Sequence, residues 1–164
     1  MTRQKIFVIL VINLFLGLNT NGQEKANNLI YYELGGVGYG EVSLNYERNI
    51  SLNDKVVFAP SLGFSLSSFI HVGGTKSIND NQFFIPLQVN FLFGKKNYHL
   101  ETGFGMPIAI DNEKFGLVSN IYVLRLGYRY QQKKSGLIFR TSINPAFVGI
   151  VPKIIGGISL GYAF

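Results

Sequence analysis

The sequence contains no cysteine and no tryptophan, and only 15% of its 164 residues are charged. The lack of cysteine excludes a disulfide framework, a cysteine-based zinc or redox motif, a cysteine nucleophile and a cysteine-linked lipid anchor. The charged fraction lies well below the ~25% of ordinary soluble domains. Disorder is excluded as well, because disordered chains combine low hydrophobicity with high charge. A compact protein that is rich in β-structure or has an apolar surface remains.

Long apolar runs are missing except at the N-terminus. There, Arg3 and Lys5 precede an apolar stretch over 6–18, and small residues follow it. This arrangement is typical of a cleaved secretory signal, whereas a spanning helix needs ~20 apolar residues. We therefore predict a signal peptide over 1–22 and one exported domain over 23–164.

The charge pattern gives no sign of nucleic-acid binding. The formal net charge is +6, but the lysines form doublets in predicted turns, at 95–96 and 133–134. Nucleic-acid binding needs Lys and Arg clustered on one face, so we expect no nucleic-acid partner. No cofactor motif or metal-ligand cluster is visible either, and His71 has no second histidine or carboxylate at a suitable spacing.

From Leu29 onward, apolar and polar residues alternate with a period of two. In the clearest segment, Val42, Leu44 and Tyr46 lie on one face, and Glu41 and the other intervening residues lie on the opposite face. Strict alternation predicts a strand with one apolar face. The same pattern recurs in six further segments, and a weaker one near 30–37 brings the count to eight. The eight segments are 30–37, 41–47, 56–66, 83–93, 98–106, 122–130, 137–147 and 158–164.

An even number of antiparallel strands of about ten residues is typical of transmembrane β-barrels. The apolar faces carry no charge across the strand centres, and the opposite faces carry mostly Gly, Ser, Asn and Ala. We therefore predict an all-β fold, an eight-stranded antiparallel up-and-down transmembrane β-barrel. The alternative is a soluble lipocalin-like binding barrel, whose apolar face would line the interior.

The connections and aromatic residues suggest which end of the barrel faces which side of the membrane. The connections over 50–54, 94–97 and 131–136 are short, whereas those over 67–81 and 107–119 are long. Short and long connections thus alternate along the chain, which places both termini in the periplasm and the long loops outside. Aromatic side chains recur at the predicted periplasmic ends of the apolar faces, as expected for a membrane-interface girdle. These residues are Tyr32, Tyr46, Phe58, Phe93, Tyr98, Tyr130, Phe139 and Tyr162.

Two prolines conflict with this scheme, because Pro60 and Pro86 fall inside predicted strands. A closed barrel has no free edge at which a missing N–H can be tolerated. Local bulges would accommodate the prolines, and so would strands that extend beyond the bilayer. The sequence leaves both solutions open.

The last eight residues resemble the C-terminal assembly signal of outer-membrane proteins, with alternating Ile158, Leu160 and Tyr162 before Phe164. This resemblance implies recognition by the barrel-assembly machinery. More broadly, the chain resembles small outer-membrane β-barrel proteins of Gram-negative bacteria, of the eight-stranded OmpA/OmpX type. The resemblance implies an outer-membrane location in contact with its lipid, and no assigned activity. The matching stretches are 33–36, 43–48, 94–101, 126–130 and 157–164.

The inward faces carry charged side chains, for which we predict an ion-pair network. An eight-stranded barrel is only wide enough to be filled by side chains, and charges buried there must be paired. The predicted members of this network are Glu33, Glu41, Glu47, Glu101, Arg125, Arg129, Arg140 and His99.

An outer-membrane lipid-modifying hydrolase or acyltransferase is the enzymatic alternative. His99 and Glu101 point the same way, and Ser43, Ser61 and Ser159 lie on inward faces, as a Ser-His-acid site would need. No His-x-Ser pair occurs, and His99 is predicted near the periplasmic end, away from the outer leaflet. We therefore expect no enzymatic activity.

The long connection over 67–81 could instead contact an extracellular partner. Phe69, Ile70 and Val72 precede a Gly-Gly pair, and exposed apolar loop residues serve recognition. The same residues would also suit a rim that stabilises the barrel. We predict an integral outer-membrane protein with a structural or surface-interaction role and with a lumen filled by paired charges.

Overall fold

The structure is a computed structural model that describes residues 26–38, 40–67, 70–72, 76–78, 82–110, 121–132, 135–148 and 151–164. The predicted signal peptide, 1–22, lies outside these residues. Within the described ranges, no helix is long and apolar enough to cross a membrane.

Strands dominate the described part of the chain. Alternating apolar and polar residues produce them, because successive side chains of a strand point to opposite faces. A short 3-10 turn, Gly36–Gly38, follows the first strand. The strands are β1 (Asn28–Gly35), β2 (Val42–Arg48), β3 (Ile50–Ser51), β4 (Val56–Ser67), β5 (Ile70–Val72), β6 (Lys76–Ile78), β7 (Gln82–Lys95), β8 (Tyr98–Ala109), β9 (Ile121–Gln131), β10 (Gly136–Val148) and β11 (Val151–Ala163).

Nine of these strands form one closed antiparallel sheet. Their order is β2-β1-β11-β10-β9-β8-β7-β4-β3, and a further pairing of β2 with β4 completes the ring. Because β3 continues β2 beyond Asn49, the wall has eight strands, which confirms the predicted eight-stranded antiparallel β-barrel. The remaining two strands, β5 and β6, form a separate hairpin within the long connection between β4 and β7.

The two ends of the barrel differ, and they are named here by their connections. At the turn end, β7 joins β8 through the two residues Lys96 and Asn97, and Asn28 pairs with Arg48. At the opposite end, the loop end, β4 joins β7 through the segment that contains the hairpin. This parity of short and long connections is the one that the sequence predicts.

The apolar faces of the strands point outward. Leu100, Leu126, Ile143 and Leu160 are all more than half exposed, and Asp and Glu are absent from the outward positions of the barrel strands. Arg48 and Lys95 carry the charges on this face, and both are the last residues of their strands at the turn end. This arrangement is the reverse of the lipocalin-like alternative.

Each barrel strand pairs with two neighbouring strands. At every proline in these strands, the pairing with one of the two neighbours is interrupted or has ended. The pairing of β4 with β2 stops at Glu47, and its pairing with β3 begins at Ile50. Pro60 lies opposite this gap, and the register is the same on both sides of it. Pro86 pairs with Pro107 on one side, and on its other side the ladder of β4 and β7 is interrupted. Opposite Pro145, the ladder of β9 and β10 skips two pairs. The missing N–H groups are therefore accommodated by gaps without a shift of register, not by bulges.

The first strand has the length of the predicted segment near 30–37 but lies two residues earlier, at Asn28–Gly35. It ends at Gly35, and the next residues turn into the barrel. Gly35 and Gly36 have φ values of 68° and 73°, a conformation that glycine adopts far more readily than other residues. Val37 is thereby fully buried.

Candidate functional site

Six charged side chains meet inside the barrel, and we call them the six-charge cluster. They are supplied by five different strands, and each side chain that forms an ion pair has a relative exposure of 0%. Three carboxylates face three guanidinium groups, so the formal charges balance. The members are Glu33 on β1, Glu47 on β2, Glu101 on β8, Arg125 and Arg129 on β9, and Arg140 on β10.

Arg129 joins two of the carboxylates. Its Nη1 and Nη2 donate to the two oxygens of Glu47, at 2.6 Å and 3.0 Å. Its Nε donates to Glu101 Oε2 at 2.9 Å. A two-pronged contact of this kind is among the stronger charge-assisted interactions and also fixes the geometry. Arg129 therefore holds β2 and β8 together across the lumen.

The other two arginines extend this connection. Arg140 places its Nη2 3.0 Å from Glu47 Oε2 and its Nε 2.9 Å from Glu101 Oε2. Its guanidinium also stacks on the ring of Tyr31, 4.4 Å from the centroid, which is a cation–π arrangement. Arg125 pairs with Glu33 and reaches Glu101 Oε1 at 3.4 Å.

Polar neighbours complete the cluster. Ser159 Oγ donates to Glu33 Oε1 at 2.9 Å, and Asn90 Nδ2 donates to Glu47 Oε2 at 3.4 Å. Glycines opposite the long side chains provide room: a Cβ at Gly103 would lie 2.0 Å from Asn90 Oδ1. The cross-section of the barrel is thus filled with paired charge.

Toward the loop end, a cluster of buried apolar residues lies inside the barrel next to these charges, and we call it the apolar plug. Val37 from the 3-10 turn is its centre, and all its core members are fully buried. The alternation that places Phe84 and Val123 inward was available in the sequence, but the inward turn after Gly35 was not predicted. The core members are Val37, Phe84, Ile121, Val123 and Ala146.

At the turn end the interior opens into a cavity of about 310 Å³, which we call the vestibule. Gln131 lies between the vestibule and the six-charge cluster. Its Oε1 accepts hydrogen bonds from Arg129 Nη1 at 3.5 Å and from Asn49 Nδ2 at 3.2 Å. His99 also lines this cavity and is half-buried.

Two predicted members of the charge network lie elsewhere. Glu41 precedes β2 and is exposed, so the prediction that it belongs to the buried charge network is wrong. The backbone of Glu41 still bonds to both neighbouring strands, donating to Leu66 O at 3.0 Å and accepting from Gly35 N at 3.1 Å, but the residue lies at the rim of the loop end, where its side chain is exposed. His99 lies in the vestibule, one inward position closer to the turn end than Glu101.

The residues proposed for an enzymatic site are engaged in part with other groups. Ser159 contacts Glu33, and Ser43 accepts a hydrogen bond from Asn45 Nδ2 at 2.8 Å. Within the described residues, no group of three His, Cys, Asp or Glu side chains could hold a metal ion. The predicted assembly-signal residues Ile158, Leu160, Tyr162 and Phe164 are each at least half exposed on the outer face.

The fold and its filled interior define a small, closed, eight-stranded antiparallel β-barrel. No protein-family model and no curated protein matches the sequence. Three solved structures are similar. The N-terminal β-barrel domain of Pseudomonas aeruginosa OprF has a TM-score of 0.49 and 12% identity, with 88% of this chain and 100% of that chain covered.

The second similar structure is the outer membrane protein Ail of Yersinia pestis, in a phospholipid bilayer nanodisc. It has a TM-score of 0.49 and 15% identity, and the match covers 85% of this chain and 100% of that chain. The third comes from a de novo design of transmembrane β-barrels. It has a TM-score of 0.46 and 11% identity, with 87% of this chain and 97% of that chain covered.

Proposed function

We propose that this protein is an integral outer-membrane β-barrel with a sealed lumen and a structural or surface-interaction role. Its outer surface supports a membrane location, because a band of exposed aliphatic and aromatic side chains surrounds the barrel. In water, a contiguous apolar surface of this size would drive association. In a bilayer the same surface contacts lipid tails, and the closed ring leaves no sheet edge unpaired.

Aromatic pairs at two levels of this outer face support the same location. Toward the loop end, the ring centroids of Phe64 and Phe83 lie 5.4 Å apart. Toward the turn end, those of Tyr98 and Tyr130 lie 5.3 Å apart. Girdles of aromatic residues at both membrane interfaces are typical of outer-membrane barrels.

The observation that carries the sealed-lumen proposal is the six-charge cluster together with the apolar plug. An ion moving along the lumen would have to separate paired buried charges and then cross an apolar layer that contains Val37. Eight strands leave no water-filled channel of porin size. The protein would therefore add an anchored surface to the membrane without adding a pore.

Two measurements test this proposal together. In outer-membrane fractions, the unheated protein should migrate differently in SDS gels from the boiled protein, because a closed barrel keeps its strand ladders in detergent. Purified protein in planar bilayers should give no current steps above the baseline. Recovery in the soluble periplasmic fraction would contradict the membrane location, and regular conductance steps would contradict the sealed lumen.

The long connection after Ser67 is the proposed contact surface for an extracellular partner. It contains a hairpin of its own, in which Ile70 pairs with Ile78, and such structured loops often carry recognition. Replacing 68–81 by a Gly-Ser linker should abolish binding of the protein to an extracellular partner while leaving the gel shift intact. Unchanged binding would remove this connection from the proposal.

We also propose that the last strand guides assembly by the barrel-assembly machinery. Phe164 exchanges two backbone hydrogen bonds with Asn28, at 3.0 Å and 2.8 Å, so its backbone belongs to the ladder while its side chain is exposed. Deleting Phe164 should lower the yield of heat-shifting protein in the outer membrane. Phe93→Ala, which removes an exposed ring of the same kind at the turn end of β7, is the control. Equal yields from the two variants would contradict this role.

A further inference from the structure

Three exposed lysines lie on two adjoining turns at the turn end of the barrel, and we call them the lysine group. Lys95 is the last residue of β7, Lys96 follows it in the turn before β8, and Lys55 directly precedes β4. The two turns are joined, because the Gly94 N–H donates to Lys55 O at 3.0 Å. Within the described residues, none of the three ammonium groups is paired with a carboxylate.

Asp54 is the acidic side chain next to the lysine group, and its single charge leaves an excess of positive charge there. It is exposed in the turn between β3 and β4. The shape of this turn is fixed by Asn53, whose Oδ1 accepts hydrogen bonds from the backbone N–H groups of Lys55 and Val56, both at 2.9 Å. Asp and Glu are also absent from the outward positions of the barrel strands. An anion at this edge of the outer face therefore meets attraction with little opposition.

The backbone of Lys96 gives a separate indication that its charge is used. Lys96 has a φ of 62° and is the one described non-glycine residue with a positive φ. Two-residue hairpin turns favour asparagine and glycine at such positions, because other residues are strained there. Strain of this kind is concentrated at functional positions. A lysine thus occupies a place where glycine would be more stable.

A strip of apolar rings begins next to the lysine group on the outer face. On β7, Phe93 and Phe91 follow Lys95 toward the middle of the wall, in steps of about 7 Å along the same face. They are 41% and 36% exposed, respectively. The ring of Phe91 lies 5.4 Å from that of Phe58 on β4, measured between centroids. The order of groups along this strip, cationic and then apolar, matches the headgroup and acyl chains of a membrane lipid.

We propose that the lysine group and this strip bind a phospholipid whose headgroup has a net negative charge, such as phosphatidylglycerol. The phosphodiester lies among the three ammonium groups, and the acyl chains cover Phe91 and Phe93. Lys95 can reach the headgroup level because its aliphatic stem packs along apolar surface while its charge stays in water. A zwitterionic headgroup brings its own cation, so it gains less from the lysines. This inference rests on the membrane location in the proposed function and adds a lipid class and a place on the barrel.

A comparison of two lipids with the same acyl chains tests the proposal. In native mass spectrometry of the barrel in detergent, the first phosphatidylglycerol should bind about fivefold more tightly than the first phosphatidylcholine, the gain expected from a basic residue near anionic lipid. Added salt should weaken this preference, because it screens exposed charges. In lipid nanodiscs, replacing part of the phosphatidylcholine by phosphatidylglycerol should shift the amide NMR signals of Gly94, Lys96 and Asn97.

Charge changes of opposite sign locate the site. Lys95→Gln with Lys96→Gly should remove most of the preference, whereas Asp54→Asn should increase it. Lys96→Gly alone should lower the preference without lowering the urea midpoint in zwitterionic vesicles, because it relieves strain. Lys95→Arg keeps the charge and is the control, so its preference should match that of the original protein.

Equal binding of the two lipids would overturn this proposal, and so would a preference that survives the loss of Lys95 and Lys96. Shifts centred on the loop end would also overturn it. The heat-dependent gel shift reports on the barrel separately. A protein that shows this shift in the outer membrane but has no lipid preference therefore contradicts the lipid site alone, whereas recovery in the soluble periplasmic fraction contradicts the proposed function.

Discussion

At the scale of single residues, the interior of this barrel depends on charge balance. Arg129 contacts both Glu47 and Glu101, and Arg140 contacts the same two carboxylates. Bringing each charge out of water is costly, and the pairing offsets that cost only while every partner is present. Removing one member therefore does more harm than the loss of one contact, because it leaves an opposite charge buried without compensation.

We expect Arg129→Gln to lower the free energy of unfolding by about 3–5 kcal/mol, the usual cost of breaking a buried pair. Urea unfolding of the protein in lipid vesicles measures this change. Lys55→Gln replaces an exposed cation at the turn end and should stay within about 0.5 kcal/mol of the original protein. A loss below 1 kcal/mol for Arg129→Gln would contradict this account of the cluster.

The double variant Glu47→Gln with Arg129→Gln tests whether the two residues act as a pair. Because both charges are then removed, its destabilisation should be less than the sum of the two single effects, with a coupling of about 0.5–3 kcal/mol. The same vesicle unfolding series provides this value. Strict additivity would show that the two side chains contribute independently, despite the 2.6 Å and 3.0 Å contacts between them.

At the scale of elements, the period-two pattern predicted the wall well and the departures from it poorly. Inside strands such as β9, alternation fixes which side chains face the lumen, because a slip of one residue would move Arg125 and Arg129 into lipid. After β1 this constraint ends, which is why the inward position of Val37 was not predictable, and the alternation does not say where the rim of the barrel lies, which is why the exposure of Glu41 was not predictable either. The distances and partners of the arginines also depend on the register between neighbouring strands around the ring, which the alternation within each strand does not specify.

The glycine pair after β1 provides a prediction at this scale. A Cβ at Gly36 would lie 2.3 Å from Glu33 Cδ, and the residue that carries it would have to keep the positive φ of Gly36. The Glu33 carboxylate cannot easily move away, because it is held by Arg125 and Ser159. Gly36→Ala should therefore destabilise the barrel by about 1–3 kcal/mol, as expected for a strained backbone.

Gly156→Ala is the matched control for this substitution. A Cβ at Gly156 would meet nothing within 4 Å, so its effect should remain within about 0.5 kcal/mol. Both variants can be compared by urea unfolding in vesicles. If they behaved alike, the turn of the chain into the lumen would not depend on Gly36.

At the scale of the whole molecule, the outer face and the interior exchange the roles that they have in soluble proteins. Charged side chains fill the centre, whereas large apolar side chains such as Leu126 and Leu137 are 57% and 47% exposed. Exposure of these apolar side chains is unfavourable in water and favourable in a bilayer. The stability of the fold therefore depends on which of the two surrounds the barrel. Substitutions at different heights on the outer face can measure which part of it is embedded in the bilayer.

We expect Leu126→Lys, near the middle of β9, to cost about 2–4 kcal/mol in lipid vesicles, and Leu137→Lys, at the turn end of β10, to cost about 0–1 kcal/mol. The two positions share one residue type and similar exposure, so they differ mainly in depth. Unfolding measurements on both variants, in vesicles, give the comparison. Two small and equal effects would mean that the outer face is not embedded.

The pairing of β1 with β11, which closes the ring, has a consequence for the folding of the barrel. The seam joins β1 to β11, pairing Leu29 with Ala163 and Gly35 with Gly157, and Ser159 of β11 donates a hydrogen bond to Glu33 of β1 across a similar distance in sequence. Contacts between residues so far apart form slowly, because the entropy of closing the intervening loop must be overcome first. Until the seam closes, β1 and β11 present free edges that can pair with other chains. Closure of the seam therefore competes with aggregation during folding. A chaperone that shields either edge strand should increase the yield of folded barrel.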